Sequence, residues 1–320
     1  MHPTLRRAGA RRLRSFAAGS AAFLLASVAL VAGASPASAS TLPVPYSVAT
    51  AVAAGNLAPN TPPPGANDWS CQPSAAHPYP VVLVHATLTN ERMDWDSLSP
   101  LLADNGYCVF TFNYGGDGID PVNDAVEPIE DGAATLAAFV DQVLTATHIA
   151  KVDLVGHSQG GLMPRYYLKY LGGGPKTHSL VALAPTNHGG TVSGFATMVQ
   201  YLKGLGLGAP YDLTDAVCPA CNQQLVGSDF LADLNAGGDT VPGVNYTVIA
   251  TKHDELASPY INDFLSGPNV TNITLQDGCP VDLTGHIDMA FRPRPLALVL
   301  NALDPQHPTF VPCLVQPFAG

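Results

Sequence analysis

Gly156-His157-Ser158-Gln159-Gly160, a serine with a glycine two residues away on either side, follows directly on Lys151–Val155, a run of alternating and apolar residues. From Leu162 to Leu171 the pattern turns helical, with Pro164 in the expected first turn, where a missing N–H costs little. A strand, a sharp turn and a helix packed into so few residues have few solutions. The backbone of the turn must be strained and close-packed, so a Cβ at position 156 or 160 would clash. What such a turn achieves is exposure. The serine Oγ stands above the sheet end, and the N–H groups behind it point at whatever that oxygen attacks. In a chain with 30 glycines the pentapeptide alone arises by chance. Set between a strand and a helix, it is specific.

Other runs repeat the strand signal. Pro80–His85, Tyr107–Phe112, Leu180–Ala184, Asn245–Thr251 and Val270–Leu275 are short and rich in β-branched or aromatic residues, as expected of buried strands. Helical stretches lie between them. One runs from Trp95 or Asp96 to Asp104. Another is Glu130–Thr147, where Ile129, Ala133, Leu136, Val140, Val143 and Leu144 recur at three and four and make one apolar face. Pro295–Leu303 closes the chain. This alternation predicts an α/β fold with a mostly parallel central sheet and helices on both faces. Residues 40–80, rich in Pro, Ala, Gly and Asn, read as an arm over the surface with a short helix near Val48–Ala54. The rhythm breaks over residues 191–238, which are glycine-rich and apolar in patches and read as a cap inserted between core strands.

Residues 1–39 stand apart. Arg6, Arg7, Arg11, Arg12 and Arg14 form a basic n-region, Phe16–Ala34 an apolar h-region, and Ala37-Ser38-Ala39 a cleavage signal. A secretory signal peptide is the expectation, with 40–320 as a single domain outside the cell. The leader holds five of the 14 basic residues and none of the 25 acidic ones, so the remainder carries about −16. A surface so acidic repels nucleic acid and anionic membranes. No second apolar span follows, so no integral membrane segment is expected in the mature chain, and a monomer is the expectation.

The six cysteines all follow the leader, and an even count in an exported chain favours disulfides. Chain order suggests Cys71–Cys108, Cys218–Cys221 and Cys279–Cys313. The C-x-x-C at 218–221 has redox or metal spacing, but it lacks a second C-x-x-C and a neighbouring His, which favours a local structural bridge. No metal-ligand spacing, phosphate loop or dinucleotide fingerprint is present, so no cofactor and no metal is expected.

A serine hydroxyl is a poor nucleophile near neutral pH. It needs a base within hydrogen-bond reach and a carboxylate to orient that base. Such groups sit on loops at the carboxyl ends of strands. Beyond Ser158, Asp254 lies three residues past the strand ending at Thr251, and His286 lies in the loop beyond the last strand. Among the ten histidines, His157 is inside the turn and cannot fold back onto the Oγ. His85 and His188, at strand ends, read as loop-orienting groups, His253 precedes the acid, and His148 and His178 look like surface residues. Glu255 and Asp282 rival Asp254 as the acid, while Asp288 stands too near His286 for easy orientation of its Nδ1. An oxyanion needs two N–H donors. The expected pair is the backbone N–H of Gln159 and that of Thr87, with the Thr87 hydroxyl as an additional donor.

On these residues the chain resembles the secreted actinobacterial lipases and esterases of the α/β-hydrolase superfamily, the class 2 lipase group. The resemblance rests on Val81–Asn90, Gly156–Gly161, Ala184–Gly190, Tyr246–Asp254 and Gly285-His286, and covers nearly the whole mature chain. It implies an α/β-hydrolase fold, a Ser158–Asp254–His286 triad in the chain order of that fold, no cofactor, and hydrolysis of carboxylic esters, acylglycerols included, at a lipid–water interface. The apolar segment Phe195–Leu207 would be a lid or acyl groove, or else core packing of the cap. Short-chain esterases, polyester depolymerases and acyltransferases share these motifs, and a catalytically dead hydrolase fold serving as a binding module is the reading from another class. There is one departure: position 86 is Ala where the family has Gly, and a positive φ there would force the loop to shift.

Overall fold

Runs of Val, Leu and Ile without a polar face must be covered on both sides, and here they are. Val81–Val84 (β1), Val109–Thr111 (β2) and Val152–His157 (β3) are buried along their whole length, and Thr177–Leu183 (β4) along nearly all of it. Asn245–Ala250 (β5) and Val270–Thr274 (β6) complete a sheet in which every pairing is parallel and the order is β2-β1-β3-β4-β5-β6. This computed structural model describes residues 41–116, 120, 122–191, 193–194, 218–257 and 259–315, which fall within one compact unit. The expected leader and the segment Phe195–Leu207 lie outside the described residues.

The order positions the site. The step from β1 to β2 runs one way along the sheet, and β3, β4, β5 and β6 follow the other way. Right-handed crossovers put these two sets of connections on opposite faces. The reversal lies between β1 and β3, where the chain leaving each strand diverges from its neighbour and opens a crevice. The loop after β1 and the serine turn after β3 both open there.

The helices are Val48–Leu57 (α1), Glu91–Asp94 (α2), Leu98–Asp104 (α3), Ile129–Thr147 (α4), Gln159–Tyr170 (α5), Pro219–Gln223 (α6), Asp229–Asn235 (α7), Leu275–Gly278 (α8) and Pro293–Leu303 (α9). In α4 the predicted stripe of Ile129, Ala133, Leu136, Val140 and Val143 is fully buried, its last member Leu144 is partly buried, and the helix packs on α5, which lies against β3 and β4. Helix α9 lies against β4 and β5. The helix expected from Trp95 or Asp96 starts at Leu98, and a separate short helix precedes it because the Asn90 side chain caps an earlier turn by accepting from Met93 N (2.9 Å).

Two expectations change. The helix after the serine starts at Gln159, because the Ser158 carbonyl already accepts from Gly161 N (2.9 Å) and Leu162 N (3.2 Å). Pro164 therefore sits in the second turn, and the N–H it lacks would have met the carbonyl of Gly160. The arm of residues 40–80 does more than lie over the surface. Asn67 N donates to Val109 O (2.9 Å), and the Asn67 amide exchanges hydrogen bonds with the backbone of Thr111, which covers the free edge of β2. The Cys71–Cys108 bridge ties this arm to the start of β2. Cys218–Cys221 closes the first turn of α6 in the described half of the cap, and Cys279–Cys313 fastens the C-terminal tail to the loop before His286. All three pairs follow chain order.

The serine turn is possible only with glycine at its ends. A Cβ on Gly156 would overlap the Gly160 carbonyl, and one on Gly160 would overlap the carbonyl of Val84. Both obstacles are backbone, which cannot swing aside. Gly156→Ala or Gly160→Ala should therefore destabilise the fold by about 3 kcal/mol or more, read from urea unfolding midpoints. Gly172→Ala, where φ is +73° and no atom lies near, should cost only about 1 kcal/mol from backbone strain. Equal losses at 156 and 172 would refute the packing argument.

Candidate active site

Ser158 adopts φ 55° and ψ −121°, a conformation that β-branched or bulky residues avoid. The strained turn is held from below by Ser158 N donating to Leu183 O (2.9 Å). Its Oγ lies 2.9 Å from His286 Nε2, and His286 Nδ1 lies 2.9 Å from Asp254 Oδ2. A carboxylate can only accept, so Nδ1 carries the proton and Nε2 is left to accept from the serine. Asp254 is held in turn: its Oδ1 accepts from Leu256 N (2.8 Å) and Ala257 N (2.6 Å). The Ser158 residue and the His286 side chain are each 2% exposed, and the Asp254 side chain is 0% exposed. The three predicted residues, 128 and 32 positions apart, thus form one hydrogen-bonded line.

Glu255, the rival acid, has a different partner. Its Oε2 accepts from the backbone N–H of His286 (2.6 Å), not from the ring. Gly285 permits the approach, since a Cβ there would overlap the Glu255 carboxyl. A parallel bridge between His253 and Gly285 joins the two loops. Asp282 accepts from Thr284 N, and Asp288 faces Arg292, so neither orients His286.

Burial by itself pushes the His286 ring towards the neutral form. The charge and hydrogen bond of Asp254, then the charges of Glu255 and Asp94, outweigh it and raise its pKa above the ordinary value. Asp263 is fully buried without a side-chain partner among the described residues, and burial followed by the charge of Asp254 pushes its carboxyl well up. Both causes favour its protonated form.

The loop after β1 meets the serine turn as the topology requires. Neither the backbone N–H of Thr87 nor that of Gln159 has a partner among the described residues. The Thr87 hydroxyl is another matter. It donates to Gln159 Oε1 (2.6 Å) and accepts from Gln224 Nε2 (3.0 Å), so its one proton cannot also serve an oxyanion. The expected extra donor is thus a structural group. Gln224 also donates to Gln159 Oε1 (2.9 Å) and accepts from Thr186 Oγ1 (2.8 Å), which ties the end of α6 to both oxyanion residues. Nothing in the sequence marked Gln224, a neutral residue in a segment without strand or helix rhythm. Ala86 does not have positive φ; Leu88 takes φ 61° instead, so the methyl at 86 is accommodated.

His85 orients the loop as expected. Its Nδ1 meets Ala86 O (2.9 Å), its ring lies against Tyr114, and burial pushes its pKa down to about 4. His188 faces Asp239 at 3.5 Å and His178 faces Asp153 at 2.7 Å. Among the described residues no group of three or more His, Cys, Asp or Glu is arranged to hold a metal ion, and no helix is long and apolar enough to cross a membrane.

Residues 78–295 match the class 2 lipase family. Over 131 residues the chain is 36% identical to a triacylglycerol lipase of Pseudarthrobacter phenanthrenivorans and 34% identical to one of Burkholderia plantarii, which is 39% of this chain in each case. It spans 38% and 34% of the length of those curated relatives. Among solved structures it is similar to Aspergillus fumigatus lipase B, with a TM-score of 0.58 and 20% identity over 78% of this chain and 57% of that one. A Bacillus licheniformis lipase in its mature form superposes with a TM-score of 0.51 and 17% identity over 72% of this chain and 94% of that one. At such identities these two structures speak to the fold.

A base that must be neutral to accept a proton loses activity as pH falls through its pKa. The acid limb of kcat/KM on an ester substrate should therefore sit above the ordinary imidazole value of about 6.5. Glu255→Gln, which removes one of the charges raising His286, should move that limb to lower pH. A limb that stays in place would show that Glu255 does not act on the ring.

Proposed function

We propose, on the premise that this chain belongs to the class 2 lipase family, that it is a triacylglycerol lipase acting outside the cell through Ser158, His286 and Asp254. The chain is a carboxylic ester hydrolase of the lipase/esterase clan. The single observation that carries the mechanism is the buried line from Ser158 Oγ through the His286 ring to Asp254. His286 Nε2 takes the Ser158 proton as Oγ attacks the acyl carbonyl carbon. Charge gathers on the carbonyl oxygen, where the N–H groups of Thr87 and Gln159 receive it, each contributing roughly 3 kcal/mol to the transition state. The C–O bond to the alcohol breaks, and the alcohol leaves with the proton from His286. A water molecule then attacks the acyl-enzyme, losing a proton to Nε2; the bond from the acyl carbon to Oγ breaks, Oγ recovers that proton from His286, and the fatty acid departs. Asp254 holds the tautomer and balances the imidazolium.

The acylglycerol substrate is supported by the names of the two curated relatives, both triacylglycerol lipases, over the shared 131 residues. The export reading rests on the leader pattern at 1–39 and fits the disulfides, which persist in oxidising surroundings. With about −16 on the mature chain, a lipid surface would be met by uncharged residues of the cap rather than by a basic patch.

Initial rates on p-nitrophenyl esters of two to eighteen carbons, with emulsified triglyceride beside them, test this proposal. Activity should peak on long chains and on the emulsion, and Ser158→Ala should lower kcat on the order of 10⁵-fold or more. Turnover confined to short soluble esters would replace the lipase reading with that of an esterase. Undiminished turnover in Ser158→Ala would overturn the mechanism.

A further inference from the structure

His157 occupies the one position of the serine turn whose side chain cannot reach the Oγ. It is buried, and both of its ring nitrogens are in hydrogen-bond contact. Nδ1 lies 2.9 Å from Asp94 Oδ1, and Nε2 lies 2.9 Å from the backbone carbonyl of His286. Asp94 ends α2, is itself buried, and uses its second oxygen to accept from Ala86 N at 2.9 Å. Three hydrogen bonds therefore run in series from the residue before Thr87, beneath Ser158, to the main chain of His286.

The proton count follows from the acceptors. A carbonyl oxygen cannot donate, so His157 Nε2 carries a hydrogen. A bare Nδ1 facing a carboxylate at 2.9 Å would set two lone pairs against each other, so a second proton lies between Nδ1 and Oδ1. Imidazole is the more basic of the two groups, and Asp94 Oδ2 already receives an N–H, which stabilises the carboxylate. The two side chains thus share two protons, and the pair is neutral as a unit. Buried pairs of this kind persist where their hydrogen bonds are complete, and here every polar atom of both side chains has a partner.

We propose that Asp94 and His157 are positioning residues for the hydrolysis: the pair locks the oxyanion loop to the backbone of His286 and holds a compensating positive charge beneath the triad. This rests on the reading of His286 as the base. Glu255 holds the His286 N–H and His157 holds the His286 carbonyl, so the main chain of the base is gripped on both sides while Asp254 steers the ring. The charge matters because the rings of His157 and His286 are 5.4 Å apart. The anions facing His286 are Asp254 and Glu255 from the loop after β5 and Asp94 from α2; His157 and Ser158 face it from the turn. The His157 cation offsets part of the Asp94 charge and leaves the base less easily protonated than three unopposed anions would make it.

Steady-state kinetics across pH on p-nitrophenyl butyrate, for wild type, Asp94→Ala, Asp94→Asn and His157→Gln, separate this role from simple packing. Asp94→Ala frees the loop and leaves His157 without its anion, so kcat should fall on the order of tenfold to a hundredfold with KM within about twofold. The amide introduced by Asp94→Asn would donate to a neutral His157 and still accept from Ala86 N, so this variant should recover most of that loss. His157→Gln keeps a donor towards the His286 carbonyl but strips Asp94 of its counter-charge. It should move the acid limb of kcat/KM to higher pH. Wild-type ¹⁵N-histidine NMR, which needs no turnover, should find protons on both ring nitrogens of His157 at neutral pH. An Asp94→Asn variant as impaired as Asp94→Ala, an unmoved limb in His157→Gln, or a bare ring nitrogen at His157 would each overturn the proposal. Wild type lacking Ser158-dependent turnover would instead defeat the reading of His286 as base, and the NMR result would still decide the state of His157.

Discussion

The backbone of Ser158, held at φ 55°, is the constraint on which the rest of the site depends. A single residue in this conformation costs of order 1–3 kcal/mol and persists only where its surroundings over-determine it. Here they do. Ser158 N is bound by the end of β4, its carbonyl starts α5, and the glycines at 156 and 160 let helix, strand and the end of β1 close on one another without a Cβ between them. Strain in the turn is thus offset by the sheet and helix hydrogen bonds that flank it. In return the Oγ is aimed at the crevice where the strand order reverses.

Around that fixed point the loops after β1, β5 and β6 are arranged by charge as much as by packing. Four carboxyl groups lie in or beside the His286–Asp254 pair, and each has a separate arrangement. Asp254 takes the ring, Glu255 takes the backbone N–H, Asp94 pairs with His157, and Asp263 is pushed towards its neutral form by burial and by its neighbour's charge. A buried cluster with all four ionised would hold His286 protonated and useless as a base. The cap joins through Gln224, whose amide binds both oxyanion residues, so α6 and its disulfide are continuous with the catalytic floor.

Much of this was legible in the chain. Period-three and period-four spacing marked α4, β-branched runs marked the strands, and a serine between glycines, read with its flanks, marked the turn. The order of Ser158, Asp254 and His286 then named the line that the fold assembles. Legibility failed wherever a residue acts through a partner distant in sequence. Asp254 and its rival Glu255 are neighbours in the chain, and only the approach of Gly285 shows which oxygen meets ring and which meets backbone. The Thr87 hydroxyl looked available because Gln224, 137 positions away, cannot be seen beside it. Pro164 looked like a first-turn residue because apolar periodicity begins later than the hydrogen bonds do.

By itself the sequence determined the α/β alternation, the glycines that the turn requires, and the chemistry of a serine with a histidine and an acid to serve it. These are local properties: backbone freedom, side-chain period and functional-group type are fixed residue by residue. Only the tertiary structure decided which hydroxyl proton is already spent, which acid meets the ring, that the N-terminal arm seals an edge strand, and that His157 joins Asp94 to the main chain of His286. Each of these depends on what stands within about 3 Å of a buried polar atom. That neighbour arrives through folding from far along the chain, and no spacing in the sequence announces it.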